Sequence, residues 1–294
     1  MSILKKMFFF ILTVMFFISA ACEADVFSSQ QTETLPKLML GEWQVTSVLT
    51  DQGKKTQVQG LGDKYIIPKY LGRIVSLESD RLSINTPYDE TCEMPEFFSH
   101  KSSAEKIIAK SISSRFPEPS HPTPQDMGLP LKNNTLVNVL YLVCEKKLRA
   151  KDEGMSALAD LTNVVWFIQL DKNKLAMSWH EETILILKRL SKNAKPVASF
   201  NCEKAGTLVE KTICGSVGVA AYDKSLSQSY KLVMAYYKSN PNTKSIISDL
   251  KKSQREWLKQ RDACGADSTC LEKVMSIRIG DLNYDLGDYM YQNR

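Results

Sequence analysis

Phe200-Asn201-Cys202-Glu203-Lys204-Ala205-Gly206-Thr207, followed by Val209-Glu210-Lys211-Thr212-Ile213-Cys214 and then Tyr222-Asp223-Lys224-Ser225-Leu226, decides how the last part of this chain folds. Asp223, Leu226, Tyr230, Val233, Met234 and Tyr237 share one side of a 3.6-residue helix. Ile247, Leu250, Gln254, Trp257, Leu258 and Arg261 do the same on a second helix, and Leu271, Val274, Met275, Arg278, Ile279 and Leu282 on a third. Ser239-Asn240-Pro241-Asn242 separates the first helix from the second, because proline cannot continue a helix. Gly265-Ala266-Asp267-Ser268 separates the second from the third, with Ser268 or Thr269 able to cap the third helix. Short helices are marginal alone in water, so these call for packing or covalent staples.

The residue types at these offsets resemble the LprI-type lysozyme-inhibitor domain. They are Phe200, Cys202, Ala205, Thr207, Glu210, Ile213, Cys214, Asp223, Leu226, Tyr230, Gln254, Trp257, Arg261, Cys264, Cys270 and Leu271. The resemblance covers roughly the last third of the chain. It implies a protein that binds another protein, a lysozyme or another cell-wall hydrolase, and blocks it. Val217-Gly218-Val219 departs from the pattern, where a proline, a polar residue and a leucine are expected ahead of the Asp223 helix. The glycine is expected to loosen a local turn there without disturbing the fold.

At the other end, Lys5 and Lys6 precede the apolar run Met7–Ala21, which closes on small residues. That is the build of an export signal, spanning about 1–24. Ser19-Ala20-Ala21-Cys22 is similar to a bacterial lipobox, with Ser19 where leucine is usual, so Cys22 is a candidate lipidation site. Ordinary cleavage after Ala21 or Ala24 is one alternative, and an uncleaved anchor is another. The destination is periplasm or an envelope-anchored lipoprotein, with membrane contact only through a lipid at Cys22.

Setting Cys22 aside leaves Cys92, Cys144, Cys202, Cys214, Cys264 and Cys270, an even set in an exported chain. Neighbour logic favours Cys202–Cys214, Cys264–Cys270 and Cys92–Cys144, out of the many connectivities six cysteines allow. No CxxC occurs and the histidines are His100, His121 and His180, so no metal site or cofactor is expected. The net charge of +5 is mild and spread along the chain, without the basic stripe nucleic acid requires. It also counts against a strongly basic partner unless the contacting patch is locally acidic.

Upstream, the chain reads as β. Gly41–Leu49 alternates in the strand manner, and Gly72–Leu77 turns through Glu78-Ser79-Asp80 into Arg81–Asn85. Leu136–Cys144, Val164–Leu170, Leu175–Trp179 and Glu182–Leu190 complete the set. A helical insert at Ser103–Ser113 and a proline-rich loop at Phe116–Pro130 interrupt it. Closing such strands into a small barrel would remove exposed edges. Gly41-x-Trp43 and the leucine-rich last strand resemble a lipocalin-like or calycin-like barrel. Cys92-Glu93-Met94-Pro95, Gly128-Leu129-Pro130 and Leu175-Ala176-Met177 are similar to the extra domain ahead of LprI-type domains in some exported Gram-negative proteins.

The fold class is therefore α+β: an antiparallel β-barrel-like domain at 35–190, a linker at 191–198 and a disulfide-stapled three- to four-helix domain at 199–294. No nucleophile elbow occurs, His121 and Asp126 share a loop, and Glu181-Glu182 point to opposite faces of a strand. The chain is read as a non-enzyme with no catalytic residues. Glu210, Asp223, Tyr230, Gln254, Trp257 and Arg261 are read as a structural network, with Arg261 expected to pair with Asp223 or Glu210. The alternative functions are a small-ligand-binding barrel with a helical docking domain, in which Trp179-His180 is the candidate ligand contact, and an immunity protein against a secreted toxin.

Overall fold

Residues 35–52, 54–56, 67–86, 90–112, 114, 116, 120–144, 165–180 and 182–292 are described in this computed structural model. The export signal and Cys22 lie outside them. Nine strands follow in order: β1 (Gly41–Leu49), β2 (Ile74–Leu77), β3 (Arg81–Ile84), β4 (Glu90–Glu93), β5 (Glu96–Ser103), β6 (Leu136–Val143), β7 (Val165–Asp171), β8 (Lys174–Trp179) and β9 (Thr183–Arg189). Helix α1 (Ala104–Ser111) sits between β5 and β6. A 3₁₀ turn (Cys202–Lys204), α2 (Leu208–Gly215), α3 (Val217–Ser239), α4 (Lys244–Ala263) and α5 (Ser268–Gln292) complete the chain.

The strands form one antiparallel sheet in the order β4-β3-β2-β1-β9-β8-β7-β6-β5. It is a half-barrel. Its two margins, β4 and β5, are consecutive in sequence and joined by Met94-Pro95, yet they do not pair. The expected closed barrel is thus an open one. A disulfide between Cys92 on β4 and Cys144, just past β6, ties one margin to the strand beside the other. Met94 holds a positive φ of 50° and gives its N–H to the Asp80 carbonyl at 2.7 Å, which turns the chain from one margin to the other.

Burial along β1 follows alternation only in part. Trp43 and Val45 are buried, and the next buried residue is Val48, because the register against β9 shifts between Val45 and Ser47. One extra residue in a strand reverses the faces beyond it. Trp43 lies at the sheet's end, with its Nε1–H bonded to the Met39 carbonyl at 2.8 Å and the Arg189 guanidinium 4.1 Å over its ring. The same guanidinium donates to the carbonyls of Leu40 and Leu38.

The runs Val165–Ile168 and Thr183–Leu187 are buried without alternation. Both faces of the sheet are covered there, the usual cause of a continuous apolar run. The concave face packs Trp43, Val75, Leu77, Leu82, Phe97, Phe167, Met177 and Leu187 into one core. The other face packs Trp166, Ile168, Ala176, Ile184 and Ile186 against Ile107 and Ile108 of α1 and against Met127 and Leu129 of the proline-rich loop. Trp166 gives its indole N–H to the Ser111 hydroxyl at 2.9 Å, and Ser103 caps α1. That loop is held by Asp126, which takes bonds from Lys55 Nζ at 2.7 Å and from the Thr123 hydroxyl at 2.7 Å. Burial works to raise the Asp126 pKa, but the bonds from Lys55 and Thr123 outweigh it and leave the carboxyl below the usual range.

Strands β4 and β5 leave little trace in the sequence. Thr91-Cys92-Glu93 is too short to show alternation. Ser99-His100-Lys101 on β5 is polar and exposed, because β5 is a margin that pairs only with β6.

The helices carry a separate core of Val209, Ile213, Leu226, Val233, Met234, Tyr237, Leu250, Trp257, Leu271, Met275, Ile279 and Leu282. Cys202 bonds Cys214, and Cys264 bonds Cys270 across the break between α4 and α5. Gly218 lies inside the first turn of α3, whose start is capped by the Ser216 hydroxyl, so no loose turn precedes that helix. Sheet and helices, from Thr34 to Arg294, form one compact unit. Among the described residues no helix is long and apolar enough to cross a membrane.

Candidate functional site

Several residues of the helical pattern bond within the fold. Thr207 and Glu210 form a capping box at the start of α2. The Thr207 hydroxyl accepts from the Glu210 N–H at 3.1 Å, and Glu210 Oε2 accepts from the Thr207 and Gly206 N–H groups at 3.0 and 2.8 Å. Those backbone bonds, first from Thr207 and then from Gly206, hold the Glu210 carboxyl below the usual carboxylate range. The Thr-x-x-Glu spacing is itself the sequence signal for this cap.

Asp223 is 6 % exposed and accepts from the Ser199 N–H at 2.6 Å, which ties the incoming chain to α3. Arg261 does not reach Asp223 or bond to Glu210. It forks onto its neighbour Asp262 at 2.6 and 2.9 Å and lies 5.7 Å from the Trp257 ring. A carboxylate one residue away needs no reach between helices, so the local pair prevails over the expected one. Arg261 still contributes at a distance to lowering the Glu210 pKa.

Trp257 gives its indole N–H to the Val274 carbonyl at 3.2 Å, joining α4 to α5. Gln254 accepts from Arg278 Nε at 3.1 Å, and Arg278 also donates to the Ser253 hydroxyl at 2.9 Å. Periodicity puts Arg278 on the buried stripe of its helix but does not show these partners. It is 6 % exposed, and burial pushes its pKa down. Tyr230 packs at the edge of the helical core and acts electrostatically on Arg278.

The contact between sheet and helices gives residues of the quoted stretches partners that no pattern showed. Gly72 holds a φ of +80°, and a Cβ there would come within 2.8 Å of the Ala221 Cβ. Only glycine allows α3 this close. Beside it, Arg73 is fully buried, with its guanidinium 3.5 Å over the Tyr222 ring and its Nε bonded to the Lys69 carbonyl at 3.1 Å. Burial lowers the Arg73 pKa to about 10, against opposing pulls from Tyr222 and Glu272. Tyr222 donates to the Asn85 carbonyl at 2.6 Å, and Ser225 to the Leu71 carbonyl at 3.0 Å.

The surface carries recesses at the sheet–helix contact and among the helices. The larger, about 560 Å³, lies between the outer strands and the start of α3. Its walls are polar, with Ser76, Ser83, Asn85 and Thr91 on the sheet side and Glu42, Arg81, Lys192 and Glu272 around them. The second, about 380 Å³, lies among α3, α4 and α5. Hydroxyls, carboxylates and cations in this mixture suit binding through hydrogen bonds and ion pairs. Trp179 and His180 meet edge to face at 4.8 Å, with Trp179 6 % exposed as part of the concave core. Among the described residues no group of three His, Cys, Asp or Glu side chains could hold a metal ion.

Residues 201–282 match the family model described as "Lysozyme inhibitor LprI". "Lipoprotein LprI" of Mycobacterium bovis and the same-named proteins of two Mycobacterium tuberculosis strains are each 28% identical to this chain over 87 residues. The aligned part is 29% of this chain, and the chain spans only 40% of the length of these relatives. No solved structure matches the chain. The helical region at 201–282, with its two staples and its capping box, is an LprI-type domain, and the sheet ahead of it lies outside that likeness.

Proposed function

We propose that this protein is exported to the cell envelope and inhibits a lysozyme or another cell-wall hydrolase by occluding its cleft. The supporting observation is the LprI match over 201–282, on a helical body cross-linked at Cys202–Cys214 and Cys264–Cys270. A body that is already ordered loses little entropy on binding, which suits a blocker. In this reading residues 199–294 make the inhibitory contact and residues 35–190 are a supporting domain. Residues 1–24 direct export, and Cys22 is the point of lipid attachment. The curated relatives are named lipoproteins, which agrees with such an attachment.

The small-ligand reading of the barrel has less support. Its concave face is filled by Trp43, Val75, Leu77, Leu82, Phe167 and Met177, each 1 % exposed or less. A ligand cavity would need that space.

The test is direct. The chain from residue 25 onward, at excess over several lysozymes, is expected to lower their turnover of cell-wall substrate. Unchanged rates with every lysozyme tried would overturn the proposal.

A further inference from the structure

The recess among α3, α4 and α5 has a chemistry that the inhibitor reading does not itself specify. Its floor is apolar, from Val233, Leu250 and Leu282. Its rim carries two exposed carboxylates, Asp249 from α4 and Asp285 from α5. Its side wall includes Tyr237 and Tyr289, whose rings stand 5.2 Å apart at 84°.

These three features match the three parts of one kind of guest. A lysine or arginine side chain has an aliphatic stem that packs on an apolar floor. It has a charged head that pairs with carboxylates, bidentately in the case of arginine. That head is also attracted to an aromatic ring. We infer that this recess receives a lysine or arginine side chain presented by a basic protein partner.

The surrounding charges favour such a guest. Asp281, exposed on α5, adds a third carboxylate nearby, and Arg278 lies close enough to Asp281 and Asp285 to feel both. Its guanidinium also bonds Gln254 and Ser253 on α4. None of the exposed cations of α4, Lys244, Lys251, Lys252, Arg255 and Lys259, lines the recess. The chain carries a net charge of +5, so this is a local acidic spot on a mildly basic molecule. A bare metal ion fits less well, because hard cations take six or more oxygen ligands and two carboxylates leave most of these unfilled. The wall can adjust to a guest, since α4 buries only Leu250 and Trp257 along its 20 residues.

Naming the partner as a cell-wall hydrolase rests on the inhibitor proposal; the recess itself does not. The experiment separates the two. N-acetyl-arginine amide is titrated into the chain from residue 25 onward and followed by amide and side-chain NMR, with N-acetyl-glutamine amide as the neutral control. Saturable shifts at Tyr237, Leu250 and Tyr289 are expected with the arginine probe alone. They are expected to vanish in the double variant Asp249→Asn, Asp285→Asn, whose isosteric side chains keep the fold, as its melting temperature reports. No saturable shift, or shifts that persist in the double variant, would overturn the inference. In the lysozyme assay the double variant is expected to inhibit about tenfold more weakly. Full inhibition by the variant sinks the recess as the contact and leaves the inhibitor proposal standing. Arginine binding with no lysozyme inhibited does the reverse.

Discussion

In the sheet, Trp43, Phe97 and Phe167 are each 2 % exposed or less and share one interior. In the helices, α4 runs for 20 residues and buries two of them. The sheet covers both of its faces, one by curling and one with α1 and the Met127 loop. The helices have one core and two cross-links, at sequence separations of 12 and 6. Large apolar burial lets an element hold its shape through area alone. An element with little of it depends on restricting what its unfolded chain can do.

Cross-link removal tests that contrast most strongly. Replacing Cys202 and Cys214 by alanine is expected to lower the stability of the helical part by about 3 kcal/mol, on the loop-entropy argument. Helical circular dichroism should melt earlier while the indole signals of Trp43 and Trp166 persist. The Cys92→Ala, Cys144→Ala pair removes a constraint on a longer loop, about 4 kcal/mol by the same argument, but from the better-filled part. There the sheet is expected to remain folded at room temperature. Loss of the indole signals in this second variant would break the contrast.

The contact between the parts gives a comparable effect. Tyr222→Ala removes the ring under the Arg73 guanidinium and the bond to Asn85, and is expected to cost about 3–5 kcal/mol. Tyr222→Phe keeps the ring and is expected to cost about 1 kcal/mol. Chemical denaturation of both variants checks this. Equal losses would mean that the hydroxyl matters and the stacked charge does not.

The smallest effect belongs to the cap of α2. Thr207→Ala is expected to cost about 1 kcal/mol. Glu210 also gives the helices an acid limb. Its folded pKa is depressed, so its contribution is present above the ordinary carboxylate range and is lost as pH falls through the folded value. Glu210→Gln should flatten that limb in a melting-temperature series against pH, and an unchanged limb would assign it to other carboxylates such as Asp126.

The helices are legible in the sequence because their signals are local. Pro241 marks one break, Gly265 the other, and the apolar stripes repeat every 3.6 residues. Strand runs such as Thr183–Leu187 are legible as strands, although their burial on two faces is not. The margins β4 and β5 are hidden because half of their pairing surface faces no neighbour. Arg73 is hidden for a deeper reason. Gly72 and Arg73 read as the start of the strand Gly72–Leu77, and only the arrival of α3 from far along the chain buries the arginine. The partner of Arg261 differs from the expected one because spacing shows which residues share a face and not which of several carboxylates is nearest. The recess among α3, α4 and α5 gathers residues from three helices, so no single stretch of sequence displays it.

The close approach at Gly72 has a consequence for how such chains diverge. Position 221 must stay small and position 222 must stay aromatic for as long as this sheet is the neighbour of α3. An LprI-type segment joined to some other companion is under neither constraint. Those two positions therefore record the company the domain keeps, and a cut made near Ser199 would present both to water along with Ser225.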